Sequence, residues 1–275
     1  MLTRMRFAHK RSLGQNFLNS PFIPRRMCEA GDVGAGDTIL EIGPGTGVLT
    51  RELLATGAQV RAVEADERAL TTLEETFANE IATGQLKLIH GDMRKLSAAD
   101  VATACGLHDH QYKVIANIPY YLSGLLFRSF LDTPVQPRTL VFLVQKEVGE
   151  RIARSRKHSL LSLSVAAFGT PSYVGTIKRG HFTPAPKVDS ALIAVHDISR
   201  ERLGGVSSAH FFSLLHLGFG QKRKQLRGNL AAVYGDPATA TALEHCRIAP
   251  TTRAEAVPLA AWLCLATALP SEPPA

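Results

Sequence analysis

From Asp37 onward the chain alternates short apolar stretches with longer, helix-patterned ones, and the first handover between them is a run of glycines, Glu41-Ile42-Gly43-Pro44-Gly45-Thr46-Gly47. That alternation constrains the fold more than any other feature, because parallel strands need a crossover segment and a helix is the usual one. Thr38–Ile42, Gln59–Val63, Leu86–Ile89, Tyr112–Ala116 and Thr139–Val144 read as successive strands, with helices at Val48–Ala55, Glu67–Ala82 and near Ser123–Leu131. Two later strands, near Ser172–Thr176 and Ala191–Val195, complete a seven-stranded, mostly parallel sheet. After Asp197 the alternation stops, and Ala209–Gly218, Gln221–Ala232, Pro237–Cys246 and Leu259–Leu269 read as helices. The expectation is an α/β domain over 1–197 and a small all-helical domain over 198–275, ending in a disordered tail from Pro270.

Charge is informative through its placement. Lys and Arg number 31 against 24 Asp and Glu, a formal balance of +7 that is by itself a weak pointer to nucleic acid. Arg4, Arg6, Lys10, Arg11, Arg25 and Arg26 all precede the first acidic residue, Glu29, and a second cluster holds Lys222, Arg223, Lys224 and Arg227. Two separated basic patches suit a polyanion running across a surface, although a charge run is commonly only a solvated helix face. The segment after the first patch is too polar and broken for a secretory signal, and no stretch is long and apolar enough to span a bilayer. Cys28, Cys105, Cys246 and Cys264 show no metal-type spacing and read as reduced thiols of a cytoplasmic protein. The scattered histidines give no metal site, and His108 and His110 around Asp109 read as a surface loop.

The glycine run sits where strand meets helix, so Gly43 and Gly45 let a ligand approach the backbone without Cβ interference. Their spacing is Gly-x-Gly-x-Gly, not the Gly-x-Gly-x-x-Gly of dinucleotide enzymes, whose helix N-terminus faces a pyrophosphate. S-adenosylmethionine has no pyrophosphate, and its amino-acid end and ribose would lie against such a turn. Glu64, followed by Ala65, ends the second strand, where a carboxylate accepts from ribose hydroxyls. Asp92, followed by Met93, comes after the third strand and would accept from the adenine amine. At this stage a nicotinamide dehydrogenase remains a rival.

Asn117-Ile118-Pro119-Tyr120, after the fourth strand, weighs against that rival. An exocyclic amine of adenine or cytosine is a poor nucleophile, because its lone pair is delocalised into the ring. If the Asn117 oxygen and the Pro119 carbonyl each accept one amine hydrogen, the nitrogen is held pyramidal with its lone pair aimed at a methyl donor. Tyr120 would stack on a base taken out of its helix.

The order of these stretches closely resembles the KsgA-type rRNA adenine dimethyltransferases. Further matching stretches are Lys10 to Leu18, His181 to Ser190, Lys222 to Arg227 and Pro250 to Glu255, so the resemblance covers most of the chain. It implies a Rossmann-like, S-adenosylmethionine-dependent methyltransferase fold, with Gln15, Asn16 and Leu18 closing over the cofactor beside Gly43, Glu64, Asp92 and Asn117. It also implies that Phe182 stacks on the target base opposite Tyr120, and that no metal takes part. The implied reaction places four methyl groups on two adjacent adenosines in the hairpin near the 3′ end of small-subunit rRNA. The implied partner is an assembling small ribosomal subunit, gripped through Lys10, Arg11, Lys222, Arg223, Lys224 and Arg227; the sequence carries no sign of oligomeric state, and a monomer is the default expectation. The sequence departs from the family where His158-Ser159-Leu160-Leu161 stands in place of a glycine-containing segment, which leaves that loop's detail open. Two other readings stay open: a large-subunit adenine methylase of the macrolide-resistance class, and a ribosome assembly factor that keeps the fold without the chemistry.

Overall fold

The computed structural model describes residues 16–221 and 223–271. The chain divides into two compact units. The first runs through Gly149 and resumes at Pro171–Ile198; the second holds Glu150–Thr170 and the chain from Ser199 onward. The second unit thus takes in a stretch that a division of the sequence at 197/198 assigns to the first.

In chain order the elements begin with β1 (Phe17–Leu18), α1 (Phe22–Ala30), β2 (Thr38–Ile42), α2 (Val48–Ala55), β3 (Gln59–Glu64), α3 (Glu67–Thr76), α4 (Ala78–Ala82) and β4 (Leu86–His90). Next come α5 (Ala98–Cys105), β5 (Tyr112–Asn117), α6 (Ser123–Leu131), β6 (Thr139–Gln145), α7 (Lys146–Ala153), α8 (Leu160–Phe168), β7 (Thr170–Ile177), β8 (Phe182–Thr183) and β9 (Ser190–His196). The helices α9 (Ser208–Phe219), α10 (Leu226–Tyr234), α11 (Asp236–His245) and α12 (Leu259–Ala268) complete the second unit.

The main sheet has seven strands in the order β4-β3-β2-β5-β6-β9-β7. The pairs β2–β3, β2–β5, β3–β4 and β5–β6 are parallel, and β9 runs antiparallel to β6. The central strands read as nearly unbroken apolar runs because helices cover both faces. In β6, Leu140 to Val144 are wholly buried, and so are Ala191 to Val195 in β9. Lys113 is buried in β5, where Asp37 accepts a hydrogen bond from its Nζ at 2.8 Å. The edge strand β7 alternates exposed and half-buried residues and tolerates Pro171, as an edge does. A separate two-stranded sheet pairs β1 with β8, Phe17 opposite Thr183 and Leu18 opposite Phe182.

Several sequence expectations change. The single helix expected over Glu67–Ala82 breaks at Phe77, whose backbone leaves the helical region so that its ring buries to 1% exposure, with Arg51 above it. The helix expected from Gln221 begins only at Leu226, so Arg223 and Lys224 lie in a turn rather than on a helix face. Helices α1, α5, α7 and α8 lie where the sequence had suggested no element. In α8, Ser159 and Ser162 form a reciprocal cap at the N-terminus.

The second unit is held by aromatic packing. Trp262 in α12 is fully buried and stacks on Phe219 at 5.8 Å, while Phe168 stacks on Phe212 at 5.9 Å. The expectation of four unpaired thiols is corrected here. Cys246 at the end of α11 and Cys264 in α12 form a disulfide with Cα atoms 5.7 Å apart, while Cys28 and Cys105 are free and buried. Residues 18 apart show no motif in the sequence, and helix pairing brings them together.

Candidate active site

The strand order reverses between β2 and β5, and an open α/β sheet binds ligands at the carboxyl ends of strands beside such a switch point. There the first unit has a cleft of about 770 Å³, its open mouth included. Each adjacent strand contributes to its wall: Gly43 and Gly45 after β2, Glu64 and Ala65 at the end of β3, Asp92 and Met93 after β4, and Asn117 at the end of β5. Asn16 and Phe17 close it from the side of β1. Gln15 lies outside the described residues.

Gly43 has φ +66, and a Cβ built on it would meet nothing within 4 Å, so its bare backbone faces open space. At Gly45, with φ +56, a Cβ would sit 2.6 Å from the Phe17 ring, and β1 can press onto the turn only because that carbon is missing. Leu18 is buried and lines a smaller pocket with Glu41, Pro44 and Thr46 that shares Phe17, Gly43 and Asn117 with the cleft.

Glu64 is 3% exposed and organises the strand ends. Its Oε1 accepts from the backbone N–H groups of Ala65 and Asp66 at 2.8 and 2.9 Å, and its Oε2 accepts from Gly45 at 3.0 Å. A carboxylate has about four acceptor positions, so Oε2 keeps capacity for a ribose hydroxyl. The residues present therefore fit a nucleoside cofactor: a bare glycine backbone, a nearly buried carboxylate and an apolar slot.

Asp92 is less free than the sequence suggests. Arg94 grips it with Nε at 2.9 and 3.0 Å and Nη2 at 2.6 Å, and the Arg94 backbone N–H adds a bond at 2.9 Å. The guanidinium holds the Asp92 carboxyl below the usual carboxylate range. Glu41, in the glycine motif itself, is fully buried; burial pushes its pKa up to about 8 against the opposing hydrogen bond from Thr50 Oγ1 at 2.7 Å, and neighbouring Glu64 adds to the rise. Arg94 lines the cleft and Glu41 the smaller pocket beside it, and sequence reasoning assigned neither a role. Only the buried position of Glu41 inside an apolar strand signalled it.

At the end of β5, Asn117 donates from Nδ2 to the carbonyl of Asn16 at 2.8 Å. That bond engages one of the two Nδ2 hydrogens and anchors the side chain, whose acceptor is Oδ1. The Pro119 carbonyl accepts the Leu122 N–H at 2.9 Å, which leaves it one lone pair. Tyr120 is half-buried, its hydroxyl 2.6 Å from Ser190 Oγ, so the ring is fixed at its far end. Burial raises the pKa of that hydroxyl. Phe182 is not brought to the cleft wall: it is 3% exposed and belongs to the core around β1.

Lys10, Arg11 and Lys222 lie outside the described residues. Arg223 and Lys224 are exposed in the second unit, whereas Arg227 forms a two-bond pair with Asp236 at 2.6 and 3.0 Å. Its charge is locally offset, which weakens it as a phosphate contact. Among the described residues, no group of three or more His, Cys, Asp or Glu side chains is placed to hold a metal ion. No helix among them is long and apolar enough to cross a membrane.

An open sheet with its cleft at the switch point, a nearly buried carboxylate after the glycine turn and an Asn-Ile-Pro-Tyr rim fit one class, a Rossmann-like methyltransferase. Solved structures support that fold: the 23S rRNA methyltransferase ErmE is 23% identical with a TM-score of 0.71, over 92% of this chain and 99% of its own. A dimethyladenosine transferase from Plasmodium falciparum is 24% identical with a TM-score of 0.74, over 90% of this chain and 95% of its own. The particular family follows from sequence, because the family model for ribosomal RNA adenine dimethylase matches residues 6–270. The chain belongs to that family. It is 38% identical to the ribosomal RNA small subunit methyltransferase A of Dehalococcoides mccartyi, over 93% of this chain and 87% of the relative. The protein of the same name from Deinococcus radiodurans is 37% identical, over 94% and 85%.

Proposed function

We propose that the protein dimethylates the N6 amines of two adjacent adenosines in the 3′-terminal hairpin of small-subunit rRNA, acting as a cytoplasmic monomer on an assembling small subunit. Family membership and the names of its relatives support the substrate class. The observation that carries the chemistry is the Asn117 side chain at the cleft wall, anchored on the Asn16 carbonyl, with Pro119 and Tyr120 lining the same cleft.

Gly43, Gly45, Glu64, Ala65, Met93 and Asn16 would hold S-adenosylmethionine, which supplies a methyl group already activated by its positive sulfur. Asp92 would accept from the adenine amine with whatever capacity Arg94 leaves it. Asn117 Oδ1 and the second lone pair of the Pro119 carbonyl each accept one hydrogen of the target amine and hold its nitrogen pyramidal. No side chain has to take a proton beforehand, because the nitrogen becomes acidic only once it carries the new bond. Tyr120, fixed through Ser190, offers its face to the base. Phe182 takes the opposite face once its ring is uncovered. Gln15 adds to the closure over the cofactor, and Lys10, Arg11, Lys222, Arg223 and Lys224 grip RNA phosphates, with Arg227 contributing when it leaves Asp236.

The test uses small subunits from cells lacking the protein, labelled S-adenosylmethionine, and the wild type beside Asn117→Ala. Dimethyladenosine in small-subunit rRNA from the wild type, with a rate loss of about 100-fold or more in the variant, is expected. Label confined to large-subunit RNA would move the protein to the macrolide-resistance class. Tight binding to the subunit without label on either RNA would leave an assembly factor.

A further inference from the structure

The cleft does not end at Tyr120. An open groove of about 1070 Å³ shares Asn16, Tyr120 and Tyr121 with it and runs on past Gln145 to Pro186, Lys187 and Val188. Singly exposed apolar side chains are ordinary on a protein surface, and the informative cases are those that cluster. Among the described residues five large hydrophobic side chains are strongly exposed, and two of them, Tyr121 at 55% and Val188 at 44%, line this one groove. Lys187 is exposed between Pro186 and Val188, and no ion pair or hydrogen bond ties its ammonium to another described residue. Tyr121 also stands within electrostatic reach of the Arg94 guanidinium, which is anchored on Asp92.

We infer that this groove seats the nucleotide next to the target, its base stacked on Tyr121 and its phosphate drawn to Lys187. The inference rests on the reading of Asn117 and Tyr120 as the target-amine site, because the groove is continuous with that site. Chemistry selects the occupant. An aromatic face beside apolar Pro186 and Val188 suits any base, since every base has a π-face. A single unpaired ammonium matches one phosphate. Tyr120 is tied to Ser190, whereas the Tyr121 ring lies open beside it, so consecutive residues offer one enclosed and one open aromatic surface. For an RNA that carries two adjacent target adenosines, Tyr121 holds the waiting adenosine while its neighbour is in the cleft. Tyr121 is therefore a positioning residue for the second nucleotide.

The test is a binding comparison with the full-length protein in saturating S-adenosylhomocysteine. The probes are a labelled RNA hairpin with two adjacent loop adenosines and the same hairpin with either adenosine made abasic. Wild type is expected to bind the intact hairpin about tenfold more tightly than an abasic one, the scale of one base stacked on an aromatic ring. Tyr121→Ala should bind all three hairpins alike, near the abasic level, while Tyr121→Phe keeps the preference. Lys187→Ala should weaken every hairpin and flatten the salt dependence. The inference is overturned if Tyr121→Ala still prefers the intact hairpin, or if wild type never distinguishes them, which leaves the groove to a protein of the subunit. It is also overturned if Tyr121→Ala loses affinity for S-adenosylhomocysteine as strongly as for RNA, because Tyr121 then belongs to the cofactor. Failure of the methylation reading would appear elsewhere, as missing label in the wild-type reaction, and this comparison does not depend on that label.

Discussion

At the scale of single residues the site is built from committed polar groups. Glu64 takes three backbone N–H groups, Asn117 gives its amino group to Asn16, and Asp92 is held by Arg94. Such commitments fix orientation before any ligand arrives, which is what positioning catalysis requires. Glu41 is the exception in charge. Its pKa of about 8 lies above the ordinary 4.5, so the folded state favours its protonated form. Its contribution to stability is therefore full below the unfolded carboxyl's value near 4.5, shrinks as the pH rises, and is gone above about 8. Within that window the slope is about 1.4 kcal/mol per pH unit. Urea unfolding at pH 5.5 and 7.5 should show wild type losing about 2–3 kcal/mol relative to Glu41→Gln, which has no proton to lose. Parallel behaviour of the two proteins would mean that Glu41 is ionised in the folded state.

At the scale of elements, what matters is the approach of β1 to the glycine turn. Phe17 lies where a side chain at position 45 would have to be, and the same two-residue strand pairs with β8. Gly45→Ala meets both a left-handed backbone and the Phe17 ring. Its cost is expected at about 1–3 kcal/mol of stability, with weaker cofactor affinity because β1 is pushed off the turn. Thermal unfolding and calorimetric titration with S-adenosylhomocysteine measure the two effects separately. Unchanged cofactor affinity in a destabilised variant would show that β1 does not shape the cofactor site. Trimming the ring with the double variant Phe17→Ala, Gly45→Ala should remove the steric part and leave only the backbone strain.

For the whole molecule, the two units have different sources of cohesion. The first is a sheet core with covering helices; the second is a helical unit held by buried aromatics and the Cys246–Cys264 bridge. Closing a loop of 18 residues limits the unfolded chain and adds up to about 3 kcal/mol. Reductant, or Cys246→Ser, should therefore lower the unfolding midpoint of the oxidised protein, with two further thiols becoming titratable in denaturant. Identical midpoints and no new thiols would show the cysteines reduced. The sequence by itself determined the sheet, because apolar runs separated by helical periodicity admit little else. It also placed the glycine turn, Glu64 and the Asn117–Tyr120 stretch at the strand ends that line the cleft. It missed what depends on distant partners. The pairing of Cys246 with Cys264, the burial of Phe182 and the break at Phe77 all came from packing. A local pattern fixes which face of an element is apolar, and only tertiary contact decides what that face, or a charge beside it, finally meets.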